Sequence, residues 1–294
     1  MEIAGLQAFL RVAEHGSFSL AAEKLFLTQP AVSKRIAALE QELDTRLFDR
    51  IGRNISLTEA GRALLPGARK ILEDVENSRR QIANLSGTVK GRLRIGTSHH
   101  IGLHRLPPYL KTFTRQYKEV DLDLHFMDSE TACTLVSRGD LELAVVTLPS
   151  NPDPELICSQ VWDDPLLPVA ATEHELAQKN RITLENLSQY PVILPGIGTF
   201  TRNIIQQVFS AQELDLKIAL ETNYLETIRM MVSIGLGWSI LPESMCSDDL
   251  VRLPVTHLQL HRRLGMVTHQ SRVLSNATLA FARTLKPVSG LQGQ

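Results

Sequence analysis

SFSLAAEKLFLTQPAVSKRIAALEQEL, residues 17–43, holds two amphipathic helical patterns separated by a very short polar break. A unit of this kind is a candidate reader of a DNA major groove. Its first helix is expected to start with Ser19 as N-cap, to bury Ala21, Ala22 and Leu25, and to end near Phe26 and Leu27. Thr28 suits the N-cap of the second helix, whose Pro30 falls in the first turn, where a missing N–H is tolerated. Val32, Ile36, Leu39 and Leu43 then face inward, which leaves Gln29, Pro30, Ser33, Lys34 and Arg35 at the front and outer side. Gln29 and Ser33 lie one turn apart and can hydrogen-bond base edges, while Lys34 and Arg35 can reach phosphates or guanine. Any small helical bundle with a polar face would show the same pattern.

Upstream, Leu6, Phe9, Leu10, Val12 and Ala13 repeat at helical spacing and Gly16 offers a stop. Downstream, Leu47 and Phe48 read as a short strand, Arg50 to Asn54 as a tight turn around Gly52, and Ile55 to Leu57 as the returning strand. A β-hairpin after a helix-turn-helix is a wing, and Arg50 and Arg53 at its tip suit phosphate or minor-groove contact. Charge alone would not propose nucleic acid: residues 1–62 hold eight Lys/Arg and eight Asp/Glu, residues 63–92 six and three, and residues 93–294 seventeen and 21.

Leu6, Phe9, Val12, Gly16-Ser-Phe18, Ala21-Ala22, Leu25, Thr28-Gln-Pro-Ala-Val-Ser33, Ile36, Leu39-Glu40, Leu43, Leu47-Phe48, Arg50, Leu57-Thr58 and Ala60-Gly61, in that order, resemble the N-terminal signature of the LysR-type transcriptional regulators. The resemblance implies a winged helix-turn-helix domain over residues 1–62. Its candidate DNA-binding residues are Ser17, Thr28, Gln29, Pro30, Ser33, Lys34, Arg35, Arg50 and Arg53.

Thr58 can cap a further helix running to about Leu85. Leu64, Ala68, Ile71, Val75, Ser78, Ile82 and Leu85 form a heptad seam broken only by Ser78, which one chain cannot satisfy by itself. A partner helix is implied, either from a second copy or from the protein's own domains; the resemblance makes residues 58–90 a linker and dimerisation helix with a hinge at Ser86 to Gly91, and Pro66 with Gly67 is expected to bend it. The resemblance implies a homo-oligomer, dimer or tetramer, built through Leu64, Ala68, Ile71, Val75, Ile82 and Leu85.

Beyond the hinge, strands and helices alternate, which favours an open α/β fold with mainly parallel strands. RLRIG (92–96), Leu122 to Phe126 and Leu141 to Thr147 read as strands, separated by helices at Ile101 to Tyr117 and Ser129 to Ser137. Later come a strand at Pro191 to Leu194, a helix near Thr201 to Ser210, a helix at Glu226 to Ile234, and a strand at Trp238 to Leu241. RLRIGTS, GDLELAVV and ETIRMMVSIGLGWSILPE resemble the same family's effector domain, which is similar in fold to periplasmic binding proteins. That implies a two-lobed α/β effector-binding domain over 91–294, with lobe I at 91–161 and 266–294 and lobe II at 162–265.

In such folds ligands lie where helix N-termini present free N–H groups to anions. The candidate effector-binding residues are Thr97, Ser98, His99, His100, Ser129, Thr199, Thr201, Tyr224 and Glu226, of which the resemblance implies Ser98, Ser129 and Thr199 at the cleft, although plain helix caps would read the same; the expected effector is a small molecule, of which a carboxylate is one candidate. His100 and His104 share the four-residue spacing of metal ligands, but no nearby Cys or second HxxxH completes a shell, so no metal and no cofactor are expected.

Cys133, Cys158 and Cys246 are scattered without CxxC spacing and read as buried thiols. No GxSxG, P-loop, GxGxxG or HExxH motif is present, so no enzyme is expected. The start MEIAGLQAFLRVAEHGS lacks a basic n-region, which favours the cytoplasm, and no membrane partner is expected. The function so read is a sequence-specific DNA-binding transcriptional regulator controlled by a small-molecule inducer, with RNA polymerase as a further partner if it activates. A solute-binding receptor using the same cleft is the alternative, but it gives the first ninety residues no role.

Overall fold

The computed structural model describes residues 1–51 and 54–285. Arg53 lies outside the described residues, as do residues 286–294 of the expected lobe I, and of Arg50 only the backbone is described. The chain forms two compact units, Met1–Ser86 and Gly87–Gln294.

In the first unit, helices α1 (Ile3–His15), α2 (Phe18–Leu25) and α3 (Gln29–Glu42) precede strands β1 (Phe48–Ile51) and β2 (Asn54–Leu57) and the long helix α4 (Glu59–Asn84). Leu6, Phe9, Val12, Ala21, Ala22, Val32, Ile36 and Leu47 are buried in one core. Phe48 enters it between Phe9 and Phe18, with ring centroids at 5.4 and 5.9 Å. The turn before α3 is set by local chemistry: Phe26 caps α2 in the left-handed region (φ 54°), and the Thr28 hydroxyl accepts from the Ala31 N–H. The cap of α2 is Ser17, whose hydroxyl accepts from the Leu20 N–H, and not Ser19 as expected, so the helix begins earlier. The wing is antiparallel, with Phe48 opposite Leu57. Thr58 caps α4, accepting from Gly61 and donating to the Arg46 carbonyl.

The heptad seam is not wholly left over for a partner. Ala68 is fully buried in the unit's own core and Leu64 packs against it, so these two expected dimerisation residues are used within the chain. Ile82 and Leu85 stay 71% and 85% exposed, Ile71 is at the margin of exposure and Val75 is half-buried. Leu85 stands just past the helix, at its C-cap.

The second unit runs β3 (Gly91–Thr97), α5 (His99–His104), α6 (Pro107–Gln116), β4 (Val120–Phe126), α7 (Ser129–Ser137), β5 (Leu143–Thr147), β6 (Leu156–Ala171), α8 (Leu184–Ser188), β7 (Val192–Leu194), α9 (Phe200–Ser210), β8 (Ile218–Glu221), α10 (Leu225–Ser233), β9 (Ser239–Pro242), β10 (Leu250–Arg252), β11 (Leu260–His269) and α11 (Asn276–Leu285). One sheet follows the order β10-β6-β11-β5-β3-β4, with β9 also on β6, and a two-stranded sheet pairs β7 with β8. Among the described residues, only β3 with β4 and β3 with β5 are parallel in the large sheet. The expected parallel character gives way because β6 and β11 are long strands running in opposite directions through both lobes. The single helix expected at Ile101 to Tyr117 is two, since Pro107 supplies no N–H to continue α5 and instead opens α6 at its first turn. Helices cover both faces: Ile101, Phe113 and Phe281 on one side of the first lobe and Ala132 and Val136 on the other, with Ile205 and Phe209 and then Ile228 and Val232 doing the same for the second.

The crossing strands have one point without slack. Gly265 sits at the register shift between β11 and β6, and a Cβ there would meet the Ser159 carbonyl oxygen at 2.2 Å. Backbone cannot swing aside as a side chain can, so Gly265→Ala should lower the urea midpoint of this unit by an amount worth about 1–3 kcal/mol. An unchanged midpoint would show that the strands shift freely.

Candidate functional site

The two lobes of the second unit face each other across a cleft ringed by helix starts. Ser98, His99 and His100 come from the start of α5, Asp128, Ser129 and Glu130 from that of α7, Thr199 and Thr201 from that of α9, and Asn223 and Leu225 from that of α10. Between them, with Thr147, Pro195 and Arg262, remains a narrow cavity of about 50 Å³.

The lobes close on each other through specific contacts. Asn223 Nδ2 donates to Asp128 Oδ2 at 2.8 Å, and the Phe200 N–H donates to Glu130 Oε1. His99 meets the edge of Tyr224 at 4.7 Å between ring centroids, and His104 Nε2 lies 3.1 Å from Glu226 Oε1. Burial pushes the Glu130 carboxyl up, with the Phe200 N–H opposing it.

Behind this rim lies a buried charge cluster. Asp164, on β6, accepts from Arg262 Nε at 2.6 Å and from Arg105 at 2.7 Å. The Arg262 side chain is 4% exposed and that of Asp164 1%. Arg262 Nη1 donates to Thr201 Oγ1 at 3.4 Å, whereas its Nη2 is buried without a hydrogen-bond partner. Burial lowers the Arg262 guanidinium and Asp164 raises it; guanidinium nonetheless stays charged in proteins. His100 is beside it, and burial, followed by the Arg262 charge, holds its imidazole down at about 3, so the ring is neutral.

Of the sequence-derived effector candidates, Ser98, His99, His100, Ser129, Thr199 and Thr201 line the cavity. Ser129 and Thr199 are partly committed: Ser129 Oγ accepts from the Thr147 N–H, and Thr199 caps α9. Thr97 does not line the cavity as expected: it is fully buried and donates to the Val145 carbonyl at 2.8 Å, turned into the sheet. Tyr224 lies in the neighbouring depression with Asn223, and Glu226 faces His100 and His104, so both bridge lobes and neither lines this cavity. No Cys or second HxxxH lies near the His100–His104 pair in sequence, but Glu226, 122 residues from His104, brings three ligand-type atoms within 4.8 Å of one another. Arg262, Asp164 and Arg105 were missed, because charges 98 and 59 residues apart carry no local spacing. The signal in the sequence is a pair of acids in WDDP and a pair of arginines in HRRL. Of the three thiols expected to be buried, Cys133 is, and burial pushes it up to about 12, whereas Cys158 and Cys246 are half-buried and raised for the same reason.

On the first unit, Gln29, Pro30 and Lys34 are exposed along the front of α3, with Ser33 and Arg35 half-buried. Gln29 Nε2 donates to Ser33 Oγ at 2.9 Å, so the two polar groups present one joint surface. Thr28 and Ser17 spend their hydroxyls on helix caps. Glu40 Oε1 accepts from the Leu47 N–H at 2.8 Å and fixes the wing's start on α3.

Residues 3–62 match the family described as bacterial regulatory helix-turn-helix protein, lysR family, and residues 86–289 match the LysR substrate binding domain. These two units define a DNA-binding transcriptional regulator with an effector-binding domain. The chain belongs to the LysR family. It is 31% identical to a probable RuBisCO transcriptional regulator of Synechocystis over 96% of this chain and 85% of that one. Over 37% of this chain and 75% of the other it is 68% identical to an uncharacterized HTH-type transcriptional regulator of Azotobacter vinelandii. Its fold is similar to that of a full-length, singly substituted OxyR from Pseudomonas aeruginosa, with TM-score 0.71, 23% identity, and 100% and 99% of the two chains covered.

Removing the Asp164 carboxylate strands two arginines, one of them fully enclosed. Asp164→Ala should destabilise the second unit by about 3–5 kcal/mol, read as a fall in its urea midpoint; a loss below about 1 kcal/mol would mean that water reaches the arginines.

Proposed function

We propose that the effector of this regulator is a small anion, a carboxylate in the first instance, held between Arg262 Nη2 and the hydroxyl of Ser98. The observation that carries this reading is that Arg262 lines the cavity while its buried Nη2 has no hydrogen-bond partner. A buried donor without a partner costs about 1–3 kcal/mol, more when charged, and an anion recovers that loss. Ser98 begins α5 without a cap hydrogen bond from its side chain, so its hydroxyl is available to the same ligand. The surrounding helix starts add partial positive charge.

DNA is read by α3, with Gln29, Pro30 and Ser33 at base edges and Lys34, Arg35, Arg50 and Arg53 chiefly on phosphates. Ser17 and Thr28 contribute through their backbone, as their hydroxyls serve caps. The chain acts in the cytoplasm as a homo-oligomer, dimer or tetramer, joined along the exposed Ile71, Ile82 and Leu85 edge of α4, and engages RNA polymerase where it activates. It performs no catalysis. No helix among the described residues is long and apolar enough to cross a membrane.

Two experiments test this. In a thermal-shift panel on the full chain, small mono- and dicarboxylates should raise the melting temperature while their amide analogues do not, and Ser98→Ala should weaken the response about fivefold, the value of one hydrogen bond. A preference for neutral or cationic compounds would refute the anion reading. In salt-matched DNA titrations, Gln29→Ala with Ser33→Ala should reduce specific affinity by about 1–3 kcal/mol, and Lys34→Ala should lower the salt slope by about 0.9 without changing sequence preference. Unaltered specific binding in the double variant would remove α3 as the reader.

A further inference from the structure

We infer that His100, His104 and Glu226 form a site for a late first-row divalent metal ion, zinc being the leading occupant, which latches α5 of one lobe to α10 of the other. This goes beyond the effector reading, and the ligand is a cation where the effector is an anion.

The geometry carries it. His100 and His104 are one helical turn apart on α5, with ring centroids at 4.9 Å. Glu226, in the first turn of α10, points one carboxylate oxygen at both: Oε1 is 3.1 Å from His104 Nε2 and 3.6 Å from His100 Nδ1. Ligand atoms at about 2.0–2.1 Å from a tetrahedral zinc stand roughly 3.3–3.4 Å from one another, so two edges of the polyhedron are already set to within a few tenths of an ångström. The third edge, between the imidazoles, is at most 4.8 Å and shortens by movement of His104, whose side chain is 44% exposed.

A second observation points to a missing ligand. His100 is 3% exposed, yet both ring nitrogens are buried without a hydrogen-bond partner. A buried imidazole normally has at least one nitrogen satisfied; a coordinated cation satisfies one here. Two imidazoles and a carboxylate suit zinc, cobalt and nickel, and three protein ligands leave one coordination position open. The arginines nearby do not preclude a dication, because Arg105 and Arg262 share Asp164 and Glu226 adds a further negative charge. Since the ligands come from both lobes, an ion held by all three favours the closed cleft, by mass action on that state alone.

The test uses the full, untagged chain after dialysis against a chelator. Titration with cobalt(II), followed by visible absorption, should show one ion per chain with the intense ligand-field bands of a four- or five-coordinate ion, displaced stoichiometrically by zinc. His104→Ala and Glu226→Gln, one half-exposed and one isosteric, should each weaken binding by more than about tenfold, the loss that follows even when only a supporting partner of a ligand is removed. Their far-UV dichroism and urea midpoints without metal should match the parent chain, which separates loss of a ligand from loss of the fold. Absence of saturable binding, or binding that neither variant weakens, overturns the site. Because the readout is the metal's own spectrum, failure here leaves the anion reading standing, and the reverse also holds.

Discussion

Asp164 holds two arginines, Arg105 at the junction of α5 and α6 and Arg262 directly across from it on β11. Two guanidinium groups on one enclosed carboxylate leave a local excess of positive charge and, at Arg262 Nη2, an N–H with nowhere to go. An isolated buried ion pair does little for stability, since desolvation offsets most of its attraction. Its value lies in position: it fixes a rigid donor at the floor of the cleft, on the strands that cross between lobes.

The rim of the cleft works differently. Asn223 to Asp128, Phe200 to Glu130, and Glu226 to His104 are contacts between lobes at partly exposed side chains, each worth little against water. The narrow cavity they enclose is far smaller than the usual volume of a ligand site, about 300–1,000 Å³, so an effector of any size enters by displacing some of them. On the anion proposal, closure would be balanced between the weak rim contacts and the anion held beside Arg262. A ligand that prefers one arrangement of the lobes shifts the population toward it, by no more than its difference in affinity for the two.

Helix α3 is almost wholly legible in the sequence, because its determinants are local: Thr28 as cap, Pro30 in the first turn, and Val32, Ile36 and Leu39 at helical spacing. The start of α2 was misplaced because Ser17 and Ser19 are equally good caps and only the folded chain decides between them. In the effector unit the helix starts were legible, and with them Ser98, Ser129 and Thr199, since strand-to-helix turns announce themselves. What lay across the sheet was not. Thr97 faces inward because its hydroxyl finds the Val145 carbonyl, and Arg262, Asp164 and Glu226 meet their partners across 59 to 122 residues of chain. The heptad seam on α4 mixed two kinds of position, since Ala68 serves the unit's own core while Ile82 and Leu85 remain open.

Control of DNA binding by the cleft is tested most directly by measuring linkage in both directions. Using the carboxylate that most stabilises the full chain, the affinity for operator DNA is measured with and without saturating carboxylate, and the affinity for carboxylate with and without DNA, at one salt concentration. The expected result is a change of the same factor in both, on the order of 5–150-fold, with the coupling lost in Ser98→Ala at carboxylate levels that saturate only the parent chain. DNA affinity that stays constant while the cleft fills would contradict it.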